Sequence, residues 1–357
     1  MNTAPLFSPL KIRNVTFRNR IGVSPMCQYS CIDGLADDWH FVHLGSRAVG
    51  GAGLVMAEAT AVTADGRISP NDLGIWSDKH VEPLARCADF IEKQGAVPGI
   101  QLAHAGRKAS TAAPWKGRGP VRADEGGWRP IWAASAIAFD EESPVPEGLS
   151  REQIGGVLAA FAEGARRARE AGFRVLEIHA AHGYLFHEFL SPLSNRRADE
   201  YGGSLENRTR IVREAATAIR RVWPEDLPLF IRISATDWVE GGWDPGQSVE
   251  LARQLKPLGV DLVDCSSGAL LPNVKIPAGP GYQVPFAERI RKEADIATAA
   301  VGLIREPRFA NEIIEKGQAD LVLLARQMLR DPYWPLHAAQ ELGAQVPWPV
   351  QYERAAN

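Results

Sequence analysis

Cysteine is scarce in this chain. Cys27, Cys31, Cys87 and Cys265 are the only four in 357 residues, and none stand in a C-x-x-C spacing. That argues against a disulfide framework, a zinc ribbon or an iron–sulfur cluster. A surplus of one charge is also missing, with 40 basic against 43 acidic residues and a net charge of -3. No basic stripe is therefore available for nucleic acid or for an anionic membrane surface. No apolar run reaches the length of a membrane span. The opening Met1-Asn2-Thr3-Ala4-Pro5 lacks the basic-then-apolar pattern of a secretory leader. These absences lead to the expectation of a cytoplasmic protein acting on a small molecule. Two more concern pattern: there is no G-x-G-x-x-G fingerprint and no internal repeat.

What is present is apolar material, 45% of the chain, in short runs spread from end to end. Eight runs read as strands: 21–24, 53–57, 97–102, 175–178, 229–233, 262–265, 297–301 and 321–324. Their hydrophobicity is continuous rather than alternating, as expected of parallel strands covered on both faces. Helical spacing fills the intervals. Val212, Ala215, Ala216, Ile219, Val222 and Trp223 fall on one stripe, and Ser150-Arg151-Glu152-Gln153 reads as a capping box. Eight strand–helix repeats predict a TIM (β/α)8 barrel, with an open doubly wound sheet as the alternative that the missing glycine fingerprint disfavours. One stretch breaks the rhythm. Residues 105–150 are rich in Gly and Pro and carry Trp115, Trp128 and Trp132. This is too long for an ordinary connection, so we expect a cap over the barrel mouth within a single domain spanning 1–357.

In such barrels chemistry belongs at the C-terminal ends of the strands. Strand four runs directly into His179-Ala180-Ala181-His182-Gly183-Tyr184. Two imidazoles able to hold one oxygen, beside a phenol able to give a proton, suit the polarisation of a carbonyl while a neighbouring carbon is protonated. The other strand ends deliver Ser24-Pro25-Met26-Cys27-Gln28-Tyr29, Ala59, Gln101, Arg232, Gly302 and Ala325-Arg326. Gly302 and Arg326 would form a phosphate site after strands seven and eight. Arg232 in an apolar strand needs a partner; a bound anion is the favoured one and Asp264 the alternative. A cation and the Gln101 amide below a planar heterocycle are what a reduced flavin requires. The bland readings are that His179 and His182 are metal ligands or core histidines, and that Cys27 is a small hydrophobe. Trp115, Trp128 and Trp132 are expected to pack the cap, and Ala165-Arg166-Arg167-Ala168-Arg169 to be a solvated helix face.

These motifs, with Gln101-Leu102-Ala103-His104-Ala105-Gly106-Arg107-Lys108, the run Ser194 to Arg208 and Gln351-Tyr352-Glu353-Arg354, resemble the Old Yellow Enzyme family in its bacterial branch of NADPH dehydrogenases and xenobiotic reductases. The resemblance runs from about Leu6 to Arg354. It implies tightly bound, non-covalent FMN, NADPH as hydride donor and reduction of activated C=C bonds. FMN contacts are implied for Ser24, Pro25, Met26, Cys27, Ala59, Gln101, Arg232, Gly302, Ala325 and Arg326. It implies that His179 and His182 bind the substrate oxygen, Tyr184 protonates the α-carbon, Cys27 tunes the flavin and Tyr29 lines the pocket. Arg354, in the tail 345–357, matches an arginine that reaches a neighbouring subunit's site, which implies a homodimer or homotetramer. Two positions depart from the pattern: Ala325 stands where a glycine often precedes the phosphate arginine, and the tail ends Ala355-Ala356-Asn357 without an aromatic.

Overall fold

The computed structural model describes residues 4–117 and 119–356. Eight parallel strands close into a barrel: β1 Ile21–Val23, β2 Leu54–Ala61, β3 Val97–Ala103, β4 Val175–Ala180, β5 Leu229–Ser234, β6 Leu262–Ser266, β7 Ala297–Ala300 and β8 Leu321–Leu324. Each pairs with its neighbours in chain order, and β8 closes on β1. The TIM barrel is thus confirmed, with every expected run forming a strand. Strand ends differ by a few residues, most at β2, which continues to Ala61 through a register shift between Ala57 and Ala59. That bulge re-aims Glu58, whose carboxylate accepts from the Gln28 backbone N–H at 2.8 Å and lies 3.2 Å from His40 Nε2. The ring of strands is thereby tied to the loop that follows β1.

Among the described residues, eight of the longer helices cover the sheet: α1 Asp38–Val49, α2 Val81–Lys93, α3 Arg151–Glu170, α4 Leu205–Arg220, α5 Pro245–Leu255, α6 Val284–Ala294, α7 Pro307–Glu315 and α8 Trp334–Leu342. The capping box opens α3: Ser150 accepts from the Gln153 N–H while the Gln153 side chain returns to the Ser150 backbone. On α4, Val212, Ala215, Ala216 and Ile219 are buried as the stripe requires; Val222 and Trp223 lie just past its end. The solvated-face reading of 165–169 is half wrong. Ala165 and Ala168 are fully buried, while Arg166 and Arg167 turn outward to Asp78, Glu163 and Glu170, and Arg169 is exposed.

An antiparallel hairpin, Leu10–Ile12 with Val15–Phe17, covers the N-terminal end of the barrel, where Phe17 stacks on Phe230 at 6.4 Å. The opposite end carries residues 105–150. This segment has short 3-10 turns and one pair of two-residue strands, Trp132–Ala133 and Glu147–Gly148. Trp128 and Trp132 tie it down by donating to the Asp65 carbonyl at 2.9 Å and carboxylate at 2.8 Å. Trp115 does not pack as expected. It is 66% exposed and meets Tyr29 edge to face, with ring centroids 5.6 Å apart. Among the described residues no helix is long and apolar enough to cross a membrane.

Candidate active site

The end of β4 organises the site. His179 lies inside the strand, paired in register with Arg232, rather than beyond it. Its Nδ1 accepts from the Ala181 N–H at 3.2 Å, so the ring proton is on Nε2. His182 and Gly183 then turn the chain through the left-handed region, at φ 60° and 72°. Three anchors hold this costly turn: the His182 N–H on Ser234 Oγ at 2.9 Å, the Gly183 N–H on His187 Nδ1 at 2.9 Å, and Lys108 Nζ on the His182 carbonyl at 2.7 Å. His187 is in turn fixed by Asp237 at 2.9 Å, on the short helix Leu185–Leu190. The result brings His179 edge-on to both His182 and Tyr184, with ring centroids 5.2 and 4.9 Å apart.

Burial sets the protonation states. It drives both imidazoles well below the ordinary histidine pKa, helped by Arg232 and Lys108, so they are neutral donors at neutral pH. Burial likewise pushes the Tyr184 phenol well above its usual value and keeps it protonated. Lys108, whose amine is brought down to about 7 by burial and by Arg107, stands over the Tyr184 ring at 5.7 Å. No cluster of three metal-ligating side chains occurs among the described residues.

Two cavities flank this turn, His182 lining one and Tyr184 the other. The first, about 280 Å³, is lined by Ser24, Pro25, His182, Arg232, Gly302, Ala325 and Arg326. Seven of the expected site residues therefore share one wall. The second, about 350 Å³, lies beneath residues 105–150 and is lined by Tyr29, Lys108, Phe139 and Tyr184. Cys27, Tyr29 and Tyr184 also pack together with Trp128 on a small apolar cluster. Gln101 and Ala59 face each other across β3 and β2, and Met26 packs on the main core. Arg354 is not brought in: it sits exposed in the tail turn Val350–Ala355, outside both cavities.

Arg232 differs from the favoured expectation. Its guanidinium is paired with Asp264, Nε at 2.5 Å, and donates to Ser24 Oγ at 2.9 Å. The structural counterion is therefore present whatever else binds above. Sequence reasoning missed Ser266, whose hydroxyl lies 2.7 Å from His182 Nε2, and Gln283, which holds Ser267 at 2.7 Å and lines the first cavity. Ser266-Ser267 close β6 just as the other reactive groups close their strands, a signal that was legible. Gln283 comes from the start of α6 and had none.

A flavin mononucleotide fits the first cavity. Its lining combines Arg232 and Ser24 with Arg305, Arg326 and Arg330, donors that suit a flavin ring and a dianionic phosphate. Gly302 is at φ 129°, and a Cβ there would crowd Gln283 Nε2 at 3.0 Å, so this wall requires glycine. The family model for the NADH:flavin oxidoreductase / NADH oxidase family matches residues 5–345. The chain belongs to that family. It is an FMN flavoprotein and an oxidoreductase, as the Old Yellow Enzyme resemblance implied. The NADPH dehydrogenase of Geobacillus sp. (strain WCH70) is 54% identical over 351 residues, covering 98% of both chains. Among solved structures, morphinone reductase superposes with a TM-score of 0.80 at 25% identity, covering 98% of this chain and 92% of that one. A complex of 2-naphthoyl-CoA reductase with 2-naphthoyl-CoA gives 0.85 at 26% identity; it matches 95% of this chain, which spans only 52% of that longer protein.

Proposed function

We propose that this enzyme is an NADPH-dependent ene-reductase, reducing the C=C bond of α,β-unsaturated carbonyl compounds and of nitro-activated alkenes. The observation that carries the reading is the His179–His182–Tyr184 turn, which lends His182 to the first cavity and Tyr184 to the cavity under residues 105–150. Bound FMN would take a hydride from NADPH and return one to the acceptor's β-carbon. The chain's own residues supply the rest. His179 Nε2–H donates to the acceptor's oxygen. His182 adds a second donor when the Ser266 hydroxyl donates to Nε2 and leaves the proton on Nδ1. Two neutral donors stabilise the developing enolate without being consumed. Tyr184 Oη then gives its proton to the α-carbon, completing the addition of a hydride and a proton across the double bond.

Ser24, Pro25, Arg232, Gly302, Ala325 and Arg326 would hold FMN from the lined cavity, with Met26, Cys27, Ala59 and Gln101 completing its surroundings. Tyr29 and the segment 105–150 would shape the acceptor pocket and keep water from it. Arg354, exposed on one chain, is available to complete a neighbouring subunit's pocket in a homodimer or homotetramer. Donor and acceptor share one space, so both substrates bind in turn and the kinetics are ping-pong. The relatives named NADPH dehydrogenase support NADPH over NADH as donor. Product analysis tests the proposal. Cyclohexenone with NADPH should yield cyclohexanone; recovery of cyclohexenol would mean carbonyl reduction and overturn it.

A further inference from the structure

Below the strand-end residues, the barrel interior holds a charged trio. Glu177 from β4, Arg232 from β5 and Asp264 from β6 are 1%, 5% and 0% exposed. Glu177 stands two residues before His179, and Asp264 two before Ser266. The period of a strand therefore puts both carboxyls on the inward face, one layer deeper than the site. One guanidinium thus faces two carboxyls. Were both ionised, the buried trio would carry a net negative charge with nothing to offset it.

The hydrogen bonds show where a proton resolves this. Asp264 Oδ2 accepts from Arg232 Nε at 2.5 Å and also from Nη2, a charge-assisted pair. Glu177 Oε1 lies farther from Arg232 Nε, at 3.9 Å, and accepts from Gln101 Nε2 at 2.7 Å. Two oxygens of the trio, Glu177 Oε2 and Asp264 Oδ1, are buried with no partner. Both carboxyls flank the same guanidinium, and only Asp264 is in direct contact with it. A single proton on Glu177 removes the surplus charge and leaves its Oε1 free to accept from Gln101.

We infer that Glu177 is a positioning residue for the flavin, held as the neutral acid so that Arg232 keeps a single counterion and the Gln101 amide keeps one orientation. Burial first, and then the Asp264 charge, hold the Glu177 carboxyl above the usual carboxylate range; Arg232 opposes them, and Gln101 is its other polar neighbour. Arg232 can then present its charge to the cavity wall that it shares with Ser24 and His182. Gln101 is oriented because the acid's Oε1 can only accept, which fixes the amide nitrogen toward Glu177. The inference rests on the reading that the flavin ring lies against Arg232.

Infrared spectroscopy of the FMN-bound protein, in H₂O and D₂O, tests it. The expected result is a protonated-carboxyl band near pH 6 in the wild-type minus Glu177→Gln difference spectrum, shifting in D₂O. Asp72 and Glu188, whose carboxyls burial raises to about 7, contribute to both proteins and cancel. That variant keeps the neutral charge and an oxygen to accept from Gln101, so its flavin midpoint potential should match wild type near pH 6. Wild type should then drift from the variant as rising pH ionises Glu177. A difference spectrum without that band, or potentials that differ near pH 6, would each overturn the inference. Should Glu177→Gln not fold, Asp264→Asn reads the same point from the other side. Arg232 would then take Glu177 as its counterion and the band should vanish; its persistence would refute the assignment. A colourless protein would sink the flavin reading separately, with the carboxyl band still readable in the apoprotein.

Discussion

The two cavities at the barrel mouth are built by different means. The cavity proposed for the flavin is walled by strand ends and the turns that directly follow them: Ser24 after β1, Arg232 in β5, Gly302 after β7, Arg326 after β8. Its positions are fixed by the register of a closed sheet. The neighbouring cavity owes its far wall to residues 105–150, an irregular segment held by side-chain and backbone hydrogen bonds rather than by sheet register. A rigid floor and a loosely specified roof suit a common cofactor and variable acceptors. Tyr184 stands between them, carried by the turn that follows β4 and lining the cavity under the roof.

The largest break in this comparison should come at that boundary. Tyr184→Phe removes the proton donor and should slow acceptor reduction by roughly 10²- to 10⁴-fold while leaving reduction by NADPH nearly unchanged. Equal slowing of both half-reactions would place Tyr184 in the floor instead. Next comes the floor itself. Arg326→Ala removes a charge-assisted contact worth about 1.5–3 kcal/mol, so FMN should dissociate roughly ten- to a hundredfold more readily. Equilibrium dialysis of the flavin reads this, and unchanged retention would move the phosphate elsewhere. His179→Ala or His182→Ala should weaken the binding of a phenol to the oxidised enzyme by a similar factor, visible in its charge-transfer band. An unaltered band would remove that histidine from the oxyanion position.

The smaller effects sharpen rather than break the contrast. Trp115→Ala, at a residue 66% exposed in the roof, should alter the KM for bulky acceptors with FMN binding and thermal stability unmoved. A stability loss above about 1 kcal/mol would show that the roof packs more firmly than its contacts indicate. Finally, burial lowers the pKa of His179 and His182 within the fold. The unfolded chain then binds more protons as pH falls below about 6.5, so acid should erode stability through that range. His179→Gln should flatten the slope in a pH series of thermal melts, and an unflattened slope would mean that His179 is already charged in the fold.

The same contrast explains how much the sequence disclosed. Parallel strands buried on both faces are runs of Val, Ile, Leu and Ala, and all eight were legible, down to the capping box at Ser150. Groups that close a strand are legible because strand and side chain are neighbours in sequence, as with His179, His182 and Tyr184. Groups placed by tertiary packing were not. Gln283 reaches the flavin cavity from the start of α6, and the Glu58 bulge grips the Cys27 loop through His40 and Gln28. Arg232 was visible as a charge in need of a partner, but choosing Asp264 over a bound anion required the pairing of β5 with β6. Trp115 looked like a core residue by type, yet the roof leaves it in solvent. Aromatic content alone does not say which rings are covered.

The central claim is that one flavin, in the rigid cavity, serves two substrates in turn. The most direct test is a single anaerobic cuvette: record the visible spectrum of the purified protein, add NADPH, then add cyclohexenone. The account predicts a yellow protein that bleaches with NADPH and regains its colour with the enone. A protein that stays bleached after the enone would contradict the acceptor assignment. One that neither carries FMN nor takes it up would contradict the account as a whole.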